Sequence, residues 1–265
     1  MFELKALYTY PVKSCRGNAV TSLTLDSFGP QHDRRFMLVD SEFKHVTQRT
    51  DPLMANISVC FDGDQLLMTI QNDVCRVSVC EFSEPLSVSV WADQVDALGF
   101  GGQEAVRVDH VLSEYLGKRV RLVFMPPSTY RAVDPAFSND AAQVSFADGF
   151  PILLCSEASL DDLNSRLKDS VSMERFRPNI VISGAPAFAE SLWKRVRIGG
   201  IDFDLVKPCS RCSMITLDEE GSFNKEPLKT LASYRLNKYG ACFGENLVHR
   251  GEGFLELGMP LEVLE

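Results

Sequence analysis

The sequence predicts a mostly β protein with flanking helices (α+β), and three observations carry that prediction. Apolar and β-branched residues alternate with polar ones in short runs from Phe2 to Trp91, punctuated by the turn signals D-S-F-G-P, D-G-D and S-E-P. The period changes to a helical one between Gln103 and Gly117, where Ala105, Val108, Val111, Leu112, Tyr115 and Leu116 fall near one face. The run V-R-I-G-G-I-D-F-D-L-V carries two alternating segments about Gly199 and Gly200, the strongest hairpin signal in the chain.

The N-terminal half reads as strands at F-E-L-K-A-L-Y-T-Y, V-T-S-L-T-L, R-F-M-L-V-D, H-V-T-Q-R, I-S-V-C-F, Q-L-L-M-T-I-Q, V-C-R-V-S-V and P-L-S-V-S-V-W, the pattern of an antiparallel barrel or sandwich. The helix that follows ends at Gly117, which stands where a left-handed cap belongs. Between Pro126 and Ala142 the chain is rich in Pro, Ser, Asn and Asp without a period, as a loop or linker is. Beyond it P-I-L-L-C reads as a buried strand. Ser156 and Glu157 then open a helix, because a hydroxyl can cap it and a carboxylate favours its first turn. N-I-V-I-S-G, a helix over P-L-K-T-L-A-S-Y-R and a last strand at P-L-E-V-L complete the chain. These elements divide it into an N-terminal β-rich region (1–120), a linker (121–142) and a second domain (143–265).

The chain has 265 residues, 36 of them acidic and 27 Lys or Arg, for a net charge of −9. That balance lacks the broad basic field that tracks a phosphate backbone, so no nucleic-acid polymer is expected as partner. The N-terminus has no basic flank and apolar run of signal type, and no window approaches the roughly 20 apolar residues of a membrane helix. A cytoplasmic protein without membrane contact is expected. The eight cysteines are then expected to stay reduced.

Cys209 and Cys212 form a C-x-x-C pair in V-K-P-C-S-R-C-S-M-I-T-L. A thioredoxin-type pair opens a helix, whereas S-M-I-T-L reads as a strand, and a structural zinc site needs four ligands where only Cys242 and His249 lie downstream. Two ordinary reduced thiols, or one thiolate on a soft metal beside Arg211, remain open. Four basic fragments stand out in an acidic protein: Y-P-V-K-S-C-R-G, H-D-R-R-F, R-F-R-P-N and C-S-R-C. Lys13 and Ser14 occupy a turn suited to receiving a phosphate, and Arg35 and Arg177 each lie close to a phenylalanine in a setting that can hold a guanidinium flat. Solvated surface charge is the competing reading. G-F-G-G-Q reads as a loop leading into the helix, and the four histidines show no metal spacing.

Taken together, Y-P-V-K-S-C-R-G, D-R-R-F-M-L-V, S-F-A-D-G-F-P-I-L-L, S-E-A-S-L-D-D-L-N-S-R-L, F-R-P-N-I-V-I-S-G, V-K-P-C-S-R-C and F-G-E-N-L resemble the MOSC domain family, in the branch of the N-hydroxylated-compound reductases and the amidoxime-reducing components. The resemblance implies a MOSC β-barrel core preceded by an N-terminal β-rich MOSC region, with molybdenum-molybdopterin between them. It implies Cys212 as the molybdenum ligand and a catalytic role for Cys212 and Arg211. It implies cofactor contacts from Lys13, Ser14, Arg35, Asp148, Gly149, Phe150, Arg177, Asn179, Ser210, Arg211 and Asn246. The implied activity is reduction of small N-hydroxylated substrates by oxygen-atom transfer; a carrier of the cofactor or of persulfide sulfur is the alternative. Some relatives continue into a ferredoxin domain, but this chain ends at Glu265 and has no C-x4-C-x2-C run. No iron–sulfur cluster is therefore expected in it, and its electrons are expected from a separate ferredoxin or flavoprotein reductase type of protein.

Overall fold

The computed structural model describes residues 1–138, 142–218 and 220–265. Seven strands close into a barrel: Ile152–Ser156, Ile180–Ser183, Phe2–Thr9, Pro260–Val263, Arg195–Ile198, Ile201–Ser210 and Gly240–His249, with the last pairing back onto the first. The inward residues of these strands, among them Leu4, Leu7, Ile152, Leu154, Ile182, Val196, Phe203 and Leu247, are buried together.

A four-stranded sheet ordered Phe36–Val39, Arg121–Phe124, Asp93–Phe100 and Phe82–Val90 forms the other half, with a meander of Ser58–Asp62, Gln65–Ile70 and Asp73–Ser78. The helix Gln103–Leu116 buries Ala105, Val108 and Leu112 in the same core as the meander, and its C-cap Gly117 adopts φ 66° as its sequence position requires. Gly199 and Gly200 make the expected turn at φ 58° and 82°, which only glycine adopts there without strain.

Several sequence expectations shift. The strand Phe2–Thr9 pairs with Ile180–Ser183 and Pro260–Val263, so the first strand of the chain belongs to the C-terminal barrel. Arg121–Phe124, placed in the 121–142 linker, pairs with Phe36–Val39 and Asp93–Phe100 and completes the N-terminal sheet. The rest of that connection is tied down: the Arg131 guanidinium donates to Ser145 O and Ala147 O at 2.8 and 2.6 Å. Positions 139–141 of the expected linker lie outside the described residues. H-V-T-Q-R is no strand; after an isolated bridge at His45 it turns, because Thr47 O accepts from the Thr50 and Asp51 amides. S-M-I-T-L likewise becomes a single 3-10 turn, Ser213–Thr216, starting from Cys212. Ser156 stands at the N-cap of the helix Glu157–Asn164 as expected, but its buried hydroxyl makes no capping bond. Strands Asp93–Phe100, Gly240–His249 and Gly253–Glu256 were not legible, their alternation being broken by glycine and charge.

Candidate functional site

One cleft, enclosing about 450 Å³, lies between the open end of the barrel and the N-terminal half. Lys13 reaches it from the turn that follows the first strand. Its backbone is fixed by Lys13 N donating to Phe36 O at 2.8 Å, and Ser14 takes a left-handed φ of 66°. Lys13 is buried, and its Nζ donates to Phe146 O at 2.7 Å and to Asp148 Oδ1 at 2.5 Å. Burial lowers the Lys13 ammonium pKa, against the pull of Asp148. Desolvation alone raises the Asp148 pKa, but Lys13, Arg34 and Arg49 outweigh it and hold the carboxyl well below the usual range.

Arg34 and Arg177 both lie over the ring of Tyr10, their guanidinium carbons 4.3 and 4.2 Å from its centroid. Tyr10 is itself pinned, its hydroxyl donating to Pro178 O at 3.1 Å. Arg34 donates to Asp33 at 2.5 Å, to Asn179 Oδ1 at 3.1 Å and to Arg177 O at 3.3 Å, while Arg177 donates to Cys15 O at 2.8 Å. Asn179 is the hub of this wall: its Nδ2 donates to Asp33 Oδ1 and Tyr8 O, and its Oδ1 also accepts from Leu153 N. Burial raises the Asp33 pKa against the lowering effect of Arg34, and burial with the nearby Arg34 lowers that of Arg177. Arg34 and Arg177 hold left-handed backbones at φ 48° and 56°, as does Trp91 at 55°. With Ser14 that places four non-glycine residues of this sparsely populated conformation on one cleft lining, a concentration characteristic of functional sites.

Arg35, expected in the cleft, is turned away from it. The Arg35 guanidinium is committed to partners outside the lining: its Nε donates to Met125 O at 3.0 Å and it stacks on Phe28 at 4.0 Å. Its neighbour Arg34 takes the cleft position.

The strand Ile201–Ser210 slips register against Gly240–His249 between Leu205 and Lys207 and again between Pro208 and Ser210. Such bulges re-aim side chains, and Lys207, Cys209 and Ser210 all line the cleft together with Asn246 of the partner strand. Arg211 is drawn to Cys209, not Cys212: Nη1 donates to Cys209 Sγ at 2.8 Å and Nη2 to Phe176 O at 2.7 Å. Its buried Nε has no partner among the described residues. Burial works against the Arg211 charge, yet its pKa is raised overall by Cys209, Cys155 and Cys212. The donor on Cys212 comes from the other half of the protein, Arg49 Nη2 to Cys212 Sγ at 3.4 Å. Arg49 lies over the Trp91 ring at 4.5 Å, and Lys13 approaches the same ring at 5.3 Å.

The lining therefore holds seven cations (Lys13, Arg34, Arg49, Arg175, Arg177, Lys207 and Arg211) against one carboxylate, Asp148, in a protein of net charge −9. Of the expected residues, Lys13, Ser14, Asp148, Gly149, Phe150, Arg177, Asn179, Ser210, Arg211, Cys212 and Asn246 come together there, and only Arg35 does not. Arg34, Thr47, Gln48, Arg49, Trp91, Arg175 and Lys207 were missed. The polar, Pro-terminated run T-Q-R-T-D-P was the available signal for the loop that carries three of them. All eight cysteines are free thiols. Among the described residues no three His, Cys, Asp or Glu side chains converge as a structural zinc site requires. A cation-lined cleft with a partly exposed thiol and an orphaned guanidinium nitrogen fits a polyanionic, phosphate-bearing group that presents a thiolate-accepting metal. Among the described residues no helix is long and apolar enough to cross a membrane.

Residues 141–262 match the MOSC domain and residues 1–119 the MOSC N-terminal beta barrel domain. The chain is 33% identical to Mitochondrial amidoxime-reducing component 1 of Homo sapiens over 97% of its own length and 82% of that protein. It is 33% identical to Mitochondrial amidoxime reducing component 2 of Macaca fascicularis, over 87% of this chain and 71% of the relative. Identity to Molybdenum cofactor sulfurase of Oryza sativa subsp. japonica is 34% over 91% of this chain, which spans 32% of that longer protein.

Proposed function

The chain belongs to the MOSC domain family, and from that premise we propose that it is a molybdenum-cofactor-dependent reductase of N-hydroxylated compounds. The observation that carries the reading is the cleft that gathers Lys13, Arg34 and Arg177 with the Cys212 thiol. When bound, the molybdenum centre supplies two-electron, oxygen-accepting chemistry, and the protein supplies binding, orientation and charge.

Cys212 offers the metal a soft thiolate, which Arg49 orients through its hydrogen bond to Sγ. Lys13, Arg34 and Arg177 make the bed for the cofactor's anionic groups, and Asn179 acts through Arg34 as a positioning residue. Ser210 and Asn246 border the bed. A Cβ on Gly149 would meet no atom within 4 Å, so the Asp148–Phe150 loop leaves open space along the cleft lining. The buried Nε of Arg211 is a donor that the described residues leave without a partner. Converting N–OH to N–H and water takes two electrons and two protons. A separate donor protein of the ferredoxin or flavoprotein reductase type brings the electrons.

A second reading, a carrier of cofactor or of persulfide on Cys212, is favoured by the 34% identity to the sulfurase. A donor swap on one molybdenum-loaded preparation separates the two. The enzyme reduces benzamidoxime with reduced viologen and leaves NAD(P)H unoxidised when alone. Loaded protein that reduces no N-hydroxylated compound with the chemical donor is a carrier.

A further inference from the structure

The cations of the cleft are not equivalent. Lys13, Arg34, Arg175, Arg177 and Arg211 donate to carbonyls, side chains or both, and Arg49 donates to Cys212. Lys207 alone among the described cleft cations has no hydrogen bond or ion pair from its ammonium. Three rings hold it instead: Phe137 at 4.5 Å, Tyr239 at 5.3 Å and Phe150 at 5.8 Å from Nζ to ring centroid. Phe137 packs edge-on against both Phe150 and Tyr239, so the trio is one unit drawn from three separate chain segments. The main chain beneath is anchored by Asn246 Nδ2 donating to Lys207 O at 3.2 Å, beside the bulge that turns Lys207 into the cleft.

An ammonium caged by aromatic faces is fixed in direction and partly stripped of water, yet its donors are uncommitted. It strengthens the attraction for an anion that arrives there. Asp148, the single carboxylate of the lining, is already engaged by Lys13 and does not compete. Lys238, 4.9 Å from the Tyr239 ring, adds positive charge at the rim.

We propose that Lys207 with Phe137, Phe150 and Tyr239 forms a substrate subsite for planar N-hydroxylated compounds that carry an acidic group, the rings packing on the flat framework and Lys207 pairing with the carboxylate or phosphate. The proposal rests on the reductase reading for the word substrate, but not for the binding itself. The probes are a benzamidoxime bearing a para-carboxylate and its neutral parent, on the cofactor-loaded protein. Calorimetry should show that Lys207→Met weakens binding of the carboxylate about tenfold more than that of the neutral compound, as loss of one charge-assisted contact does, and that Lys207→Arg restores most of it. Bound pterin should match the unaltered protein in both variants. The ratio of kcat/KM for the two probes should follow the binding ratio. Equal weakening of both probes, or a fall in pterin on Lys207→Met, would overturn the subsite. A preserved binding difference without turnover of either probe supports the subsite and removes the reductase reading.

Discussion

The two walls of the cleft hold positive charge in opposite ways. On the Tyr10 side, Arg34 and Arg177 are stacked, hydrogen-bonded and held in left-handed backbone, with Asp33 and Asn179 buried among them. On the barrel rim, Lys207 is held only by rings and keeps its donors free. A preformed wall with little freedom left to lose suits a ligand that is always the same, as a cofactor is. A wall that orients one charge through adaptable aromatic faces suits ligands that vary.

Removing one of the hydrogen-bonded charges, Arg177 of the Tyr10 side or Lys13, should have the largest effect. Lys13→Ala or Arg177→Ala should lower cofactor affinity by about ten- to a hundredfold, the worth of a charge-assisted contact to phosphate. Pterin and molybdenum content after dialysis checks this, with unchanged far-ultraviolet circular dichroism showing that the fold persists. Equal occupancy in both variants would make the fixed wall no different from the rim.

A smaller effect tests the barrel strand behind the rim. Glu245 precedes Asn246, is 4% exposed, and burial, aided by Glu190, pushes its carboxyl up to about 7 against the lowering effects of Ser191 and Arg235. The folded state thus binds this proton more tightly than the unfolded chain, whose carboxyl titrates near 4.5. The stability linked to it is fully present below that value and is lost as pH rises through about 7. Denaturant midpoints between about pH 5 and 8 should fall less steeply in Glu245→Gln than in the unaltered protein. Parallel pH dependences would contradict the shift.

The same two walls explain what the sequence made legible. Residues that reach the cleft from recognisable motifs, such as Lys13, Arg177 and Cys212, could be named before the fold was known. Hairpin and helix boundaries governed by glycine were equally readable, because a left-handed φ at Gly117 or Gly199 is a local requirement. Sequence alone favours Arg35 over Arg34, since only the backbone conformation decides which of two adjacent arginines faces the ligand. Arg49 and Trp91 were invisible for a different reason: they meet Cys212 and Lys13 through tertiary packing across the cleft, and no spacing encodes that contact. The membership of Phe2–Thr9 in the C-terminal barrel was hidden likewise, as alternation shows that a strand exists but not with what it pairs.

On the proposed reading the cleft is organised around a metal-binding thiolate at Cys212, while Cys209 is the partner of Arg211. X-ray absorption at the molybdenum edge, on preparations matched in molybdenum content, tests this most directly. Cys212→Ser should remove one sulfur from the metal's coordination shell and abolish benzamidoxime reduction, because a hydroxyl is a harder and far less acidic donor than a thiol. Cys209→Ser should leave the sulfur number unchanged. An unaltered shell in Cys212→Ser, or a lost sulfur in Cys209→Ser, would contradict the account.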